Sequence, residues 1–130
     1  MPDFKYWAER RSLQYLKARD YPTAARAALR EMHRQVGDLR FDERGLALRG
    51  LLVRHLVMPG GEEDTAAIMR FLAEELSPHT FVNVMGQYYP AGKVSAAKYA
   101  AINRRPSPAE YTAAFAAARE AGLYRFDQRR

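Results

Sequence analysis

A mixed α/β fold with a parallel sheet is what this sequence predicts, and three observations carry that reading. Two apolar, partly β-branched runs, Leu51 to Met58 and Thr80 to Gly86, have the continuous hydrophobicity of strands buried on both faces. A helical pattern lies between them, and others precede and follow. Strands and helices alternating in this way are joined by crossovers that make neighbouring strands parallel.

The composition supports a folded domain: 130 residues, 48% hydrophobic and 28% charged, with 21 Lys plus Arg against 15 Asp plus Glu and a formal charge of +6. The zero cysteine count excludes disulfides, thiolate zinc sites, a cysteine nucleophile and any self-contained iron–sulfur cluster. Arg54 and His55 interrupt the longest apolar stretch, which falls far short of the ~20 residues of a membrane span. The opening residues lack the basic flank and apolar core of a signal peptide, so a cytoplasmic location is expected. Arginines are dispersed through the first part of the chain without an RNP, zinc-finger or helix-turn-helix pattern, so a nucleic-acid partner is not the expectation.

Taken in order, Asp3-Phe4-Lys5 alternates but is too short to define a strand alone. A first helix is expected within Trp7 to Lys17. A second follows Asp20, with Pro22 in its first turn, Ala25, Leu29, Met32 and Val36 at helical spacing, and Gly37 as its stop. Leu39, Phe41, Leu46 and Leu48 alternate around Asp42-Glu43-Arg44-Gly45, which reads as a hairpin. After the first buried strand and Pro59-Gly60-Gly61, the acidic Glu62, Glu63 and Asp64 suit a helix N-terminus, and Ile68, Phe71, Leu72 and Leu76 supply its apolar stripe. Ser77-Pro78 ends that helix, and the second buried strand leads into Gln87-Tyr88-Tyr89-Pro90. Residues 91–106 read as a loop with a helical turn near Ala96 to Ala100. Ser107-Pro108-Ala109-Glu110 is a capping box for a last helix carrying Tyr111, Ala114, Phe115 and Ala118 and ending at Gly122. The tail to Arg130 is expected to be loose.

Two full strands and one strand end are few for so many helices, and parallel strands need cover on both faces. The chain is therefore expected to be part of a larger barrel or sheet, with exposed apolar surface and an unpaired edge near residues 3 to 5.

Four groups of residues, Asp3-Phe4-Lys5-Tyr6-Trp7, Arg49 through Gly60, Phe81 through Tyr88, and Ile102-Asn103-Arg104-Arg105, occur in an order and at a spacing that resembles the C-terminal part of radical S-adenosylmethionine (SAM) proteins related to the pyruvate formate-lyase activating enzyme. The resemblance covers nearly the whole chain and rests on the set of motifs together. It implies that residues 1–130 form the C-terminal portion of a partial (β/α)6 TIM-like barrel lacking the N-terminal half. In that family a CxxxCxxC loop holds a [4Fe-4S] cluster, which reduces SAM to a 5'-deoxyadenosyl radical. The activating enzymes use that radical to take hydrogen from a backbone glycine of a partner. Here the cysteine loop is absent, so the resemblance implies a chain inactive alone that binds neither SAM nor the cluster stably. A split gene, a misplaced start and a fragment all remain open. Its partner would be a separate N-terminal half or a glycyl radical enzyme, with self-association through the strand edge as a further possibility.

The resemblance also assigns residues. Asp3 and Lys5 share a strand face, and the family's Asp-x-Lys pair faces SAM, with the aspartate also helping to hold a monovalent cation. Spacing alone favours a solvated strand end, and the resemblance reverses that preference. Arg54, costly to bury unpaired, corresponds to an arginine directed at the SAM carboxylate or ribose; a bridge to a carboxylate is the alternative. Asn83 stands where the classical activating enzyme has a histidine, and so keeps hydrogen bonding but loses titration. Met85 is either core or an adenine-facing wall. Gln87 and Tyr88 follow a strand's C-terminal end, the ligand side of such barrels, as substrate contacts or an ordinary aromatic loop. His55, on the opposite strand face from Arg54, is expected to be a hydrogen-bonded core residue, since His33 and His79 show no metal-ligand spacing with it. Two other functions stay open: a small non-enzymatic α/β domain that binds protein or nucleic acid, and a cluster-independent enzyme using Asp3, Lys5 or His55, for which no nucleophile–base pair is visible.

Overall fold

The computed structural model describes residues 1–127. The chain runs through α1 (Glu9–Leu16), α2 (Tyr21–Val36), β1 (Arg40–Phe41), β2 (Ala47–Arg49), β3 (Leu52–Leu56), α3 (Glu62–Phe71), β4 (Phe81–Met85), α4 (Pro108–Ala121) and β5 (Arg125–Phe126). A π-helical turn, Leu72–Leu76, extends α3, and a 3-10 turn, Ala100–Ile102, precedes α4.

The mixed α/β expectation is met. Strands β3, β4 and β5 form a parallel sheet in that order. Asp3 joins the free side of β3 through a parallel bridge to Arg54. The Phe4 N–H donates to the Arg54 carbonyl at 2.9 Å, and the Arg54 N–H donates to the Pro2 carbonyl at 2.8 Å. Four parallel segments therefore stand side by side in chain order.

One face of this sheet is sealed by helices. Phe4, Val53, Val57, Val82 and Val84 pack with Leu29 of α2, Ile68 and Met69 of α3, Leu72 of the π turn and Ala114 and Ala118 of α4. Fully burying each large apolar side chain here is worth about 1.5–3 kcal/mol. The small Ala114 and Ala118 lie on the inner side of α4, whose start carries the expected capping box. There the Glu110 N–H donates to Ser107 Oγ at 3.1 Å and the Ser107 N–H donates to Glu110 Oε2 at 2.7 Å. Gly86 lies against the Tyr111 ring so closely that a Cβ would stand 2.7 Å from it.

The hairpin expected from residues 39–48 forms, with β1 and β2 antiparallel. Its return into β3 uses Gly50 at φ 121°, where a Cβ would lie 2.3 Å from the Asp38 carbonyl oxygen. The alternation there does not mark a core face. Leu39 is buried and Phe41 packs on Phe81 with ring centroids 5.5 Å apart, but Leu46 and Leu48 remain 60% and 68% exposed.

Four expectations need correction. Part of the tail is ordered: Arg125 and Phe126 pair with Phe81 and Val82 because the Arg125 guanidinium donates to the His79 and Leu39 carbonyls while Phe126 stacks edge-on against Phe115. Residues 128–130 of that tail lie outside the described residues. The helical turn expected at Ala96 to Ala100 falls at Ala100–Ile102, where Tyr88 fixes it by donating its O–H to the Ile102 carbonyl at 2.8 Å. Met32 does not complete the α2 stripe and is 40% exposed, since Leu29 and the partly buried Ala25 and Val36 already make that helix's contact with the core. Lastly, no strand pairs with the outer edge of residues 3–5 among the described residues, yet two of its polar groups have a partner. The Tyr21 hydroxyl accepts from the Lys5 N–H at 3.0 Å and donates to the Asp3 carbonyl at 3.3 Å, taking the place a neighbouring strand's backbone would fill.

Candidate functional site: the open face of the parallel sheet

The burial alternates along β3 and β4 as one sealed and one half-open face. Period-two geometry puts Leu52, Arg54 and Leu56 on the open side together with Phe81 and Asn83. Such one-sided exposure is unusual for parallel strands, whose crossovers normally leave both faces covered. Phe41 from the hairpin covers the N-terminal end of this face at Phe81. At the other end, Tyr88 and Leu56 join a small cluster built on Tyr6, Met58 and Ile102. Between these ends runs a polar row.

The strand register makes the row. Asp3 is opposite Arg54, and Arg54 is opposite Asn83, so a carboxylate, a guanidinium and a carboxamide stand on three adjacent strands. Strand separation of about 4.8 Å spreads the three Cα atoms over roughly 10 Å. Arg54 Nε lies 3.4 Å from Asp3 Oδ1, and Arg54 Nη2 lies 3.5 Å from the Met85 sulfur. Arg54 and Asp3 keep 39% and 34% of their side-chain surface exposed. The Asn83 side chain makes no hydrogen bond among the described residues. Lys5 shares the Asp3 face, since both are half-buried while the intervening Phe4 is fully buried.

Of the six residues singled out in the sequence, the structure thus brings Asp3, Arg54 and Asn83 into one row and places Lys5 beside it. Gln87 is exposed beyond the end of β4. Tyr88 is committed through its O–H to Ile102, and burial pushes its phenol above the ordinary value. Met85 is buried against this same face. A guanidinium flanked by a carboxylate and a carboxamide can receive a zwitterion, the guanidinium taking its carboxylate and Asp3 its cationic group.

His55 faces the sealed side, as its alternation with Arg54 requires. Its Nδ1 lies 2.7 Å from the Phe4 carbonyl oxygen and its Nε2 lies 2.9 Å from Thr65 Oγ1. A carbonyl can only accept, so Nδ1 carries the proton and Nε2 accepts from the threonine hydroxyl. Complete burial holds the imidazole below its usual pKa and keeps it neutral. Among the described residues no group of three His, Cys, Asp or Glu side chains could hold a metal ion, and no helix is long and apolar enough to cross a membrane.

Two anchoring sets of contacts, around Arg11 and around Glu110, escaped the sequence reading. Arg11 donates to the Gly60 and Pro59 carbonyls at 2.7 and 3.3 Å, and its Nε is 3.2 Å from Asp64 Oδ2 in an alignment that gives attraction without a hydrogen bond. Asp64 also accepts from the Ala8 N–H at 3.0 Å, tying the start of α1 to α3; burial pushes its carboxyl upward against those contacts. Glu110 takes a bidentate contact from Arg104 at 2.8 Å on both oxygens and a hydrogen bond from the Gly60 N–H at 2.9 Å. These partners, Arg104 foremost, hold its carboxyl well below the usual range. The capping box was legible in the sequence, but its bonds to Arg104 and Gly60 depend on loops meeting in space.

Compared with known proteins, the chain matches no family model, no curated protein and no solved structure.

Proposed function

We propose that this chain is the C-terminal part of a radical SAM barrel resembling those of the glycyl-radical activating enzymes, contributing one wall of a SAM pocket and inactive without a cysteine-bearing half. The observation that carries this reading is the polar row Asp3–Arg54–Asn83 on the half-open face of a parallel sheet. The order of the strands supports it as well. Segments added side by side in chain order form a singly wound sheet, the arrangement that continues into a barrel, whereas a doubly wound sheet reverses direction near its middle.

SAM carries a carboxylate, an amine and a sulfonium. In this reading Arg54 takes the carboxylate, Asp3 a cationic group, and Asn83 a hydroxyl or amine through its unused carboxamide. Docking of a preceding strand against residues 3–5 requires the Tyr21 hydroxyl to release the Asp3 carbonyl and the Lys5 N–H. In this reading the iron–sulfur chemistry would belong to a separate cysteine-bearing half, since this sequence has no cysteine.

Ligand-observed NMR with millimolar SAM tests the pocket. Weak saturation transfer is expected in the wild-type chain and loss of it in Arg54→Gln. No transfer to the wild type, or equal transfer to both, contradicts the assignment. In parallel, incubation with iron and sulfide under reducing conditions is expected to leave the chain without a cluster and without 5'-deoxyadenosine production, and stoichiometric cluster assembly overturns the reading.

A non-enzymatic α/β interaction domain is the second reading, favoured by the solvent-facing Leu46 and Leu48 of the hairpin. It requires Leu46→Ser with Leu48→Ser to abolish association with a partner while SAM has no effect.

A further inference from the structure

A cavity of about 320 Å³ lies apart from the polar row, between the end of α1 and the 91–102 loop. Lys17, Lys93 and Lys98 line it together with Tyr15, Tyr99 and Ile102, and among the described residues no carboxylate does. All three lysines are exposed at the rim of this space, and Lys17 Nζ is held there by donating to the Gln14 carbonyl at 3.1 Å. Lys17 Nζ and Lys98 Nζ lie 5.1 and 5.2 Å from the Tyr99 ring centroid, and Tyr15 meets that ring edge-on at 5.7 Å.

The backbone shows how two of the lining residues are placed. Among the described residues only Lys17 and Tyr99 are non-glycine residues with positive φ, at 57° and 58°, and both line this cavity. Lys17 is the left-handed cap that ends α1, and Tyr99 is the left-handed residue that opens the Ala100–Ile102 turn. These two turns set a lysine and a tyrosine beside one space. The Lys17 ammonium, aided by Lys98 and Lys93 and opposed by desolvation, also holds the Tyr99 phenol below its ordinary value, as expected of a strongly positive environment.

We infer that this cavity is a binding site for a small phosphate monoester, its phosphoryl oxygens held by Lys17, Lys93 and Lys98 and its ring or apolar body seated between Tyr15, Tyr99 and Ile102. The flexible ammonium groups act as point charges on a phosphate, while the tyrosines provide flat apolar faces. The volume is at the lower end of the ~300–1,000 Å³ range of ligand pockets, which suits a small body.

Phenyl phosphate and inorganic phosphate, titrated into the full chain at constant ionic strength and followed by amide chemical shifts, test the site, with benzyl alcohol as the uncharged probe. Shifts are expected at Lys17, Tyr99 and residues 91–102, with phenyl phosphate binding at least tenfold tighter than inorganic phosphate and benzyl alcohol giving none. Because Lys93 and Lys98 are exposed, Lys93→Gln with Lys98→Gln is expected to keep the wild-type spectrum elsewhere and to weaken phenyl phosphate at least tenfold. Equal affinity for the two phosphates, unchanged affinity in the double variant, or shifts confined to Asp3, Arg54 and Asn83 would each overturn the inference. SAM binding at the polar row is read from a different set of amides, so either site can fail without the other.

Discussion

Arg54 and Asp3 are both more than a third exposed, and an ion pair so solvated contributes only about 0–1 kcal/mol to folding. Arg54→Gln should therefore leave the thermal midpoint within a few degrees of the wild type in calorimetry while removing SAM contact. A large loss of stability would instead mark Arg54 as a structural residue. His55 sits at the opposite extreme. Its imidazole is neutral in the fold with a lowered pKa, so below the ordinary value near 6.5 the unfolded chain takes up a proton that the folded chain refuses. Stability should be complete above pH 7 and fall with a slope approaching ~1.4 kcal/mol per pH unit as pH drops below 6. Glu110, with its lowered pKa, adds stability that is present above the carboxylate range and is lost as pH falls through and below it. Urea denaturation of wild type and His55→Met at pH 7.5 and 5.5 separates the two. The variant should be less stable at pH 7.5, by about 1–3 kcal/mol for the orphaned Phe4 and Thr65 groups, with little further loss at pH 5.5. Alternation made His55 and Arg54 legible as residues of opposite faces. It could not reveal that Arg54 meets Asp3, because that contact depends on the register between segments far apart in the chain.

The elements whose signals are local read well from the sequence. Ser107, Pro108 and Glu110 specify the start of α4, and Ser107→Ala should cost ~1 kcal/mol, a drop of a few degrees in calorimetric midpoint. Elements defined by their neighbours did not read well. Strand β5 has only two residues, and it exists because Arg125 reaches the His79 and Leu39 carbonyls. The edge at residues 3–5 looked bare in the sequence, yet a tyrosine at the start of α2 closes it. In Tyr21→Phe the Lys5 N–H and Asp3 carbonyl lose that partner, and stability should fall by about 1–3 kcal/mol. The exposed ladder should also make the variant self-associate in sedimentation velocity at concentrations where the wild type stays monomeric. A monomeric, equally stable variant would remove Tyr21 from the control of that edge.

Across the whole molecule, a parallel sheet has helices on one face and a half-open polar row on the other, its ends covered by a hairpin and an aromatic loop. The parallel α/β class was legible because two strand-length apolar runs flanked a helix. The one-sided cover was also foreshadowed by the shortage of strands. The basic cavity was not, because Lys17, Lys93 and Lys98 come from separate segments that look like ordinary surface until the 91–102 loop folds back on α1. The central claim is that the open face is the wall of a SAM pocket. Amide chemical-shift mapping of the full chain during a SAM titration tests it most directly. The account predicts weak, saturable shifts centred on Asp3, Arg54 and Asn83 that disappear in Asp3→Asn and Arg54→Gln. Shifts absent from that row, or unchanged by both substitutions, would contradict it.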